Sequence, residues 1–312
     1  KAEQTMLFLN RRGYSTSLLC PKCGFVASCR MCSIAYTYHR VSEGLRCHVC
    51  GASQRVPDKC PVCGDPSFKF SGMGTQRIEG IVTKLFPKAR VRRMDSDVMG
   101  RKYSYEEILD DFKTGKIDIL VGTQMIAKGL DFPNVTLIGV IYADISLYVP
   151  DFRAGERTFQ LLTQVAGRAG RGDVPGEVIV QTYTPSAPAI RSAAKMDYKG
   201  FYDRECADRR ELRYPPFSRI VCITARGPVD DRVAAGMRGL AERLKAVLPA
   251  TVTMCGPAPA PLAKAKGMYR HQILLRAQSV SAITAPLQEV LKTFQWPPKV
   301  ACSIDVDAIS LS

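Results

Sequence analysis

Eight cysteines arranged as four C-x-x-C pairs constrain this chain more than any other feature: Cys20/Cys23, Cys29/Cys32, Cys47/Cys50 and Cys60/Cys63. A tetrahedral zinc site needs four thiolates about 2.3 Å from the ion, and one C-x-x-C turn supplies two of them. Gly24, Gly51 and Gly64 each follow the second cysteine of a pair, where a residue free to take positive φ lets the chain turn away. Four such knuckles predict two all-cysteine sites, hence two Zn2+. Residues 33–46 between the middle knuckles read as a β-hairpin with a knuckle at each base, close to zinc-ribbon spacing. If the inner knuckles (Cys29, Cys32, Cys47, Cys50) share one ion, the outer ones (Cys20, Cys23, Cys60, Cys63) share the other. Nesting brings residues 20 and 63 together, so the unit is expected as an insertion in a surface loop of a larger domain. Disulfides fit poorly, since the knuckles are paired and no secretory pattern is present. Iron–sulfur clusters use other spacings. Eight thiolates fill both sites, which leaves His39 and His48 without a ligand role. Residues 20–63 offer little apolar core, so the unit is expected to need its metal, and chelation is expected to melt it while sparing the α/β lobe if the two fold independently.

The 312 residues suffice for two or three domains. No apolar run approaches the ~20 residues of a membrane span, and no signal-peptide pattern occurs, which predicts a cytoplasmic protein with no membrane partner. The first residue is Lys1, which suggests an excised piece. With 44 Lys and Arg against 29 Asp and Glu the net charge is +15, and the excess favours a polyanionic partner, nucleic acid first. The other cysteines, Cys206, Cys222, Cys255 and Cys302, are scattered among apolar neighbours and read as reduced thiols.

Outside the cysteine unit, strands and helices alternate. Residues 6–10, 90–94, 117–121, 135–143 and 177–182 read as strands, and stretches starting at Thr75, Tyr105 and Arg157 as helices. Thr75 is placed as a helix cap, with Ile78, Ile81, Val82, Leu85 and Phe86 on the apolar face behind it. This pattern predicts an α/β fold, a parallel sheet covered on both faces. Ligands in such sheets sit at the carboxyl ends of the strands. The loops 72–75, 95–97 and 122–131 and Asp144 are all placed at that edge, and Asp144 is a candidate for coupling to another lobe.

A composition shift near residue 200 opens a second region. A charged helix over 202–212 leads to the stiff Tyr214-Pro215-Pro216-Phe217 element. Then come strand 220–225, helix 230–247, strand 251–255, a Pro-rich run 256–261, strand 272–276, helix 283–294 and strand 300–306. That describes a compact α+β domain of ordinary size. Lys264, Lys266, Arg270 and Arg276 form its best basic cluster for DNA or an acidic peptide. Tyr36, Tyr38 and His39 are read either as base-stacking groups or as cross-strand packing. Arg90, Arg92 and Arg93 read as a solvated strand face.

Two segments carry chemistry. Gln164-Val165-Ala166-Gly167-Arg168-Ala169-Gly170-Arg171 puts two arginines three apart near a helix end, where guanidinium groups can stabilise charge on a transferring phosphoryl group. Upstream, Gly122-Thr123-Gln124 leads through Lys128-Gly129-Leu130 to Asp131, placing a hydroxyl, an amide and a carboxylate on one loop. Both segments are expected on the ligand-bearing edge of the sheet.

These two runs resemble motifs VI and V of superfamily 2 helicases. Together with an eight-cysteine insertion after Leu9-Asn10-Arg11-Arg12-Gly13-Tyr14, the Arg209–Phe217 run and the closing Asp305-Val306-Asp307, the chain resembles the PriA family of bacterial replication-restart (primosomal) helicases along essentially its whole length. The resemblance implies a RecA-like second helicase lobe over residues 1–17 and 67–204, the zinc unit inserted at 18–66, and a DNA- and partner-binding α+β domain over 205–312. It implies that Arg168 and Arg171 reach the ATP γ-phosphate, that Gln164 orders the attacking water, and that Gly129 and Asp131 face the nucleotide ribose. Gly74, Thr75 and Thr123 would contact the translocated strand. It also implies the nested pairing of the cysteines. The activity implied is 3′-to-5′ unwinding at stalled or branched forks and initiation of primosome assembly. The implied partners are forked and single-stranded DNA, the single-stranded DNA-binding protein, and primosome and helicase-loading proteins.

No G-x-x-x-x-G-K-[ST] and no D-E-x-H occurs in the sequence. ATP and Mg2+ therefore require a first motor lobe that these residues do not supply, and the chain alone is predicted to hydrolyse no ATP. A competing reading is a non-enzymatic zinc-ribbon adaptor for DNA or protein. It accommodates the cysteines and the charge but not the two helicase motifs.

Overall fold

The computed structural model describes residues 3–9, 18–29, 35–39, 44–47, 51–67, 69–70, 75–94, 105–123, 126, 132–170 and 175–311. The chain opens with strand β1 (Gln4–Leu9), then enters the cysteine unit. Within that unit lie β2 (Leu18–Leu19), β3 (Thr37–His39), β4 (Gly44–Arg46), β5 (Ser53–Arg55) and β6 (Lys69–Phe70). The expected hairpin is present: Tyr38 pairs with Leu45 across β3 and β4. β5 adds a third strand. β2 pairs with β6, so the two ends of the insertion are tied together at its base.

The α/β region continues with α1 (Thr75–Leu85), β7 (Val91–Met94), α2 (Tyr105–Lys113), β8 (Ile119–Gly122), β9 (Val135–Ile141), α3 (Asp144–Leu147), α4 (Ala154–Ala166), β10 (Glu177–Val180), α5 (Pro188–Ala194) and α6 (Tyr198–Glu211). The five strands form one sheet in the order β10-β9-β1-β8-β7, and every pair is parallel. Parallel neighbours need crossovers, and the helices supply them on both faces. Phe8, Phe112, Leu120, Ile138, Phe159 and Leu162 belong to the core on one face. Leu9, Ile78, Val82 and Val121 pack on the other. Only Ile78 and Val82 of the α1 stripe are buried, while Ile81, Leu85 and Phe86 are exposed.

The last region comprises β11 (Arg219–Gly227), α7 (Asp230–Val247), β12 (Thr253–Ala265), β13 (Met268–Ala277), α8 (Ser281–Thr293) and β14 (Ala301–Val306). It is an antiparallel sheet, β12-β13-β11-β14, with α7 and α8 packed on the face that carries Val221, Ile223, Ile273 and Leu275. The Pro-rich run 256–261 lies in the middle of β12, which extends the strand read over 251–255 to Ala265. β12 is an edge strand, and its register shifts between Cys255 and Ala258 and again between Pro259 and Lys264. An edge strand has one side free of ladder bonds, which is where proline is tolerated.

The other face of this sheet meets the cysteine unit. Leu18, Ala27, Cys29, Tyr36, Leu45 and Cys47 share one buried cluster with Tyr214, Ile220, Cys222, Leu274, Ala308 and Leu311. The insertion thus completes its core with residues near the C-terminus. Tyr36 is inside that cluster, which settles its role as packing rather than base stacking. A stacked pair crosses the joint to the α/β region: Phe152 lies on Tyr214 with centroids 4.6 Å apart and planes 7° from parallel. Arg209 stands over Phe152 and Arg276 over Tyr214. Arg209 also joins α6 to α4 through Glu156 at 2.6 Å.

Candidate functional site

The outer knuckles converge. Cys20 Sγ lies 3.6 Å from Cys63 Sγ and Cys23 Sγ 3.5 Å from Cys60 Sγ. All four sulfurs are within 4.8 Å of one another. A zinc ion with Zn–S of about 2.3 Å places its ligand sulfurs about 3.8 Å apart, so the cage has the size of a four-thiolate site. Local backbone bonds build it. Cys20 N donates to Phe25 O and Gly24 N to Cys20 O; Cys60 N donates to Asp65 O and Gly64 N to Cys60 O. Gly24 and Gly64 have φ of 75° and 73°, the left-handed region that such a turn requires.

The charges make the same point. Burial pushes the Cys60 thiol up, but the N–H groups of Cys63 and Val62 donate to it and prevail, leaving it near 7. At Cys23 the Phe25 N–H acts to lower the value; burial and the neighbouring sulfurs of Cys60, Cys63 and Cys20 outweigh it and drive it to about 12. Four sulfurs this close cannot all ionise without a cation among them, and zinc ligation requires that they do. The donor set therefore fits zinc in a closed, structural role.

Of the inner set, Cys29 and Cys47 are buried, and Cys32 and Cys50 lie outside the described residues. Cys47 opens a turn of the same construction as the outer two. Its N–H donates to Ala52 O at 2.8 Å, Gly51 N donates to Cys47 O at 2.9 Å, and Gly51 has φ of 81°.

The two motor-like segments occupy opposite edges of the parallel sheet. Phe8 pairs with Gly122 on one side and Val140 on the other, so Thr123 follows β8 at the carboxyl edge. Gln4 pairs with Val135, which marks the amino edge. Gly170 N donates to Val135 O at 3.2 Å, so the segment after α4 lies at the amino edge. This corrects the expectation that both segments share the carboxyl edge. Gln164 is exposed on α4 and Arg168 half-buried just beyond it, with Arg168 N donating to Val165 O. Gly170 has φ of 69°, and a β-carbon there would collide with the Gly176 backbone. Thr123 is half-buried, and Thr75 opens α1 as a buried residue. Gly74, Gly129, Asp131 and Arg171 lie outside the described residues.

Comparison with known proteins adds the family. Residues 73–173 match the helicase conserved C-terminal domain, residues 29–55 the PriA DNA helicase Cys-rich region domain, and residues 210–309 the primosomal protein N C-terminal domain. The replication restart protein PriA of Bacillus subtilis is 47% identical over 95% of this chain and 37% of its own length. That of Synechocystis is 41% identical over 100% of this chain and 38% of its own length. The chain belongs to the PriA family. It spans well under half the length of these PriA relatives. The solved C-terminal domain of the DEAD-box protein Dbp5 aligns over 63% of this chain and 71% of that one at 13% identity, with a TM-score of 0.32 that carries no further weight.

In this PriA-family chain the Cys-rich match begins at Cys29 and takes in Cys32, Cys47 and Cys50, the four cysteines outside the observed cage. Other expectations resolve differently. Asp144 Oδ1 accepts from Thr182 Oγ1 at 3.0 Å and Thr184 Oγ1 at 2.6 Å, and Oδ2 from Tyr183 N at 3.0 Å. Its carboxylate, buried at 2% exposure, pins the loop after β10. Arg276 leaves the basic cluster to donate to Leu212 O and cover Tyr214. Lys264 and Lys266 stay exposed at the β12–β13 turn. Arg90 is paired with Asp118, and Arg93 faces Glu79 at 3.4 Å, so that strand face is not merely solvated. No helix among the described residues is long and apolar enough to cross a membrane. The sequence reading missed Asp151 and Phe152; both precede α4, where local pattern looked like loop.

Proposed function

We propose that the chain is the second motor lobe, zinc unit and C-terminal domain of an ATP-driven 3′-to-5′ DNA helicase that acts at stalled or branched replication forks and starts primosome assembly. The observation that carries this reading is the ordered set of three family matches along one chain, with a four-sulfur cage inside the helicase lobe. Domain limits follow the sequence reading: lobe 2 over 1–17 and 67–204, zinc unit over 18–66, C-terminal domain over 205–312. Two zinc ions are held, one by Cys20, Cys23, Cys60 and Cys63, the other by Cys29, Cys32, Cys47 and Cys50. The repeated turn at Cys47 supports the second site. Zinc supplies cross-linking of the insertion and no chemistry of its own.

Arg168, which follows α4 at the amino edge of the sheet, stabilises charge on the γ-phosphate together with Arg171, Gln164 orders the attacking water, and Gly129 and Asp131 face the ribose. Thr123, at the carboxyl edge, holds the phosphodiester backbone together with Gly74 and Thr75. DNA, the single-stranded DNA-binding protein and helicase-loading proteins are the partners, in the bacterial cytoplasm. The phosphate cradle must come from another motor lobe, so the chain alone hydrolyses no ATP. The test is to combine it with a polypeptide carrying that lobe and to assay turnover on forked DNA. Restored DNA-dependent hydrolysis that is abolished by Arg171→Ala supports the motor. Turnover by the chain alone, or restored turnover indifferent to that change, refutes it.

A further inference from the structure

Helix α4 leads into Gln164 and Arg168 at one end, and a buried carboxylate holds its other end. The Asp151 side chain is 0% exposed. Its Oδ1 accepts from Arg153 N at 3.0 Å and lies 3.4 Å from Arg153 Nη1. Its Oδ2 lies 3.2 Å from Arg157 Nη1 and accepts from Leu311 N at 3.3 Å. Both arginines reach onward to the same segment: Arg153 Nη2 donates to Ala308 O at 2.7 Å and Arg157 Nη2 to Ile309 O at 2.6 Å. Directional contacts at residues 308, 309 and 311 thus fasten the chain after β14 to the start of α4.

We propose that Asp151 is a positioning residue that, through this clamp on residues 308–311, sets where α4 sits along its own axis and so where Arg168 is presented. The proposal rests on the function stated above. Phe159, Leu162 and Val165 seat the helix body on the core, but apolar contact is non-directional and resists sliding along the axis weakly. Directional bonds exist at the ends: the Asp151 clamp, and Gly170 N to Val135 O. Thirteen residues make a rod about 20 Å long that transmits a shift from one end to the other. Because β14 runs directly into the clamped tail, whatever loads the C-terminal domain is mechanically joined to the helix that carries the arginine.

The experiment uses the full-length protein in which this chain is joined to its ATP-binding lobe. Asp151→Asn and Arg157→Gln are compared with wild type and with Arg168→Ala for DNA-stimulated ATP hydrolysis, DNA affinity and thermal midpoint. Arg157 has a side chain 39% exposed, so its replacement removes the tail contact without emptying a buried site. A displacement on the order of 1 Å at a catalytic group lowers the rate up to about 100-fold, so kcat is expected to fall roughly 10-fold in both variants. KM for ATP and DNA affinity are expected to hold, the signature of a transition-state interaction. Wild-type kcat in both variants overturns the proposal, as does a loss that merely tracks the fraction of unfolded protein. Hydrolysis at the wild-type rate by Arg168→Ala removes the function reading and this proposal with it.

Discussion

The α/β lobe and the cysteine unit reach order by different physical routes. Strands of four to seven residues, paired in parallel, let the lobe bury apolar side chains on both faces of one sheet. Each fully buried aliphatic or aromatic side chain there contributes about 1.5–3 kcal/mol, and the lobe has many. The cysteine unit has strands of two or three residues, and its sulfurs are themselves core atoms: Cys20 and Cys47 are 0% exposed. What little apolar surface it owns is completed by Ile220, Cys222 and Leu274 of the C-terminal sheet. A region without enough residues to build a core can borrow one, provided that something else first fixes its backbone. Here the sulfurs of Cys20, Cys23, Cys60 and Cys63 form a cage of the size a zinc ion needs to do so.

Metal removal is the largest way to break this contrast, because structural zinc contributes on the order of 10 kcal/mol in small folds. Chelation is expected to release residues 18–70 and to loosen the sheet face bearing Ile220, Cys222 and Leu274, while β1, β8 and β9 keep their protection. Hydrogen exchange with and without chelator reads each segment separately. Equal loss in β1 and β8 would show that the lobe also leans on the zinc. Full loss in the unit without change at Ile220 would show that the shared cluster carries no energy.

A matched pair of truncations sharpens the comparison. Leu120 is 0% exposed in the lobe and Leu45 1% exposed in the unit, and each change to Ala is expected to remove about 2–5 kcal/mol. Leu120→Ala lowers the denaturant midpoint of the lobe and leaves zinc release to a chromogenic chelator unaltered. Leu45→Ala speeds that release, since the backbone holding the ligands loses its support. Identical release rates for the two variants would mean that the knuckles hold zinc without the shared core.

A subtler pair separates local conformation from docking. Gly24 and Gly64 have nearly the same φ, 75° and 73°. A β-carbon at Gly64 meets nothing within 4 Å, whereas at Gly24 it collides with the Tyr183 carbonyl oxygen and sits 2.8 Å from Thr184 Cγ2. Gly64→Ala is expected to cost about 1–2 kcal/mol, the left-handed penalty alone. Gly24→Ala carries that penalty and also pushes the first knuckle off the loop that Asp144 pins. Equal midpoints for zinc loss in the two variants would show that this docking is dispensable.

What was legible in the sequence was whatever short-range chemistry dictates. The knuckle spacing announced the outer cage, the period of α7 gave Asp230–Val247 residue for residue, and the apolar run of β9 stood out. What was not legible depends on distant partners. Nothing local to Asp151 reveals that the tail at Leu311 will close over it. Prolines at 257, 259 and 261 argue for a loop until the strand is known to lie at an edge. Tyr36 looked available for a base because the sheet that covers it arrives nearly 200 residues later. The placement of Gln164 and Arg168 at the amino edge was misjudged for a related reason: the direction of α4 is set by packing, not by its own residues.

The smallest expected effect lies in the lobe itself, at an ion pair that its core makes nearly redundant. Asp118 Oδ1 accepts from Arg90 Nη2 at 2.6 Å, and Oδ2 accepts from Arg90 Nε at 2.9 Å and from Arg90 N at 2.7 Å. Those bonds, the guanidinium first and the backbone N–H second, hold the Asp118 carboxyl below its ordinary 3.8. A depressed carboxylate value means that the stabilisation is complete above pH 3.8 and is lost as pH falls through the folded-state value. Arg90 is 57% exposed and Asp118 34%, so solvent screens the pair and Asp118→Asn is expected to cost less than about 1 kcal/mol at neutral pH. Denaturant midpoints of wild type and variant should converge as the pH drops below 3.8. A cost of several kcal/mol, or a difference that survives in acid, would mean that polar contacts at β7 and β8 hold the lobe as the sulfurs hold the insertion, and the contrast between the two regions would fail.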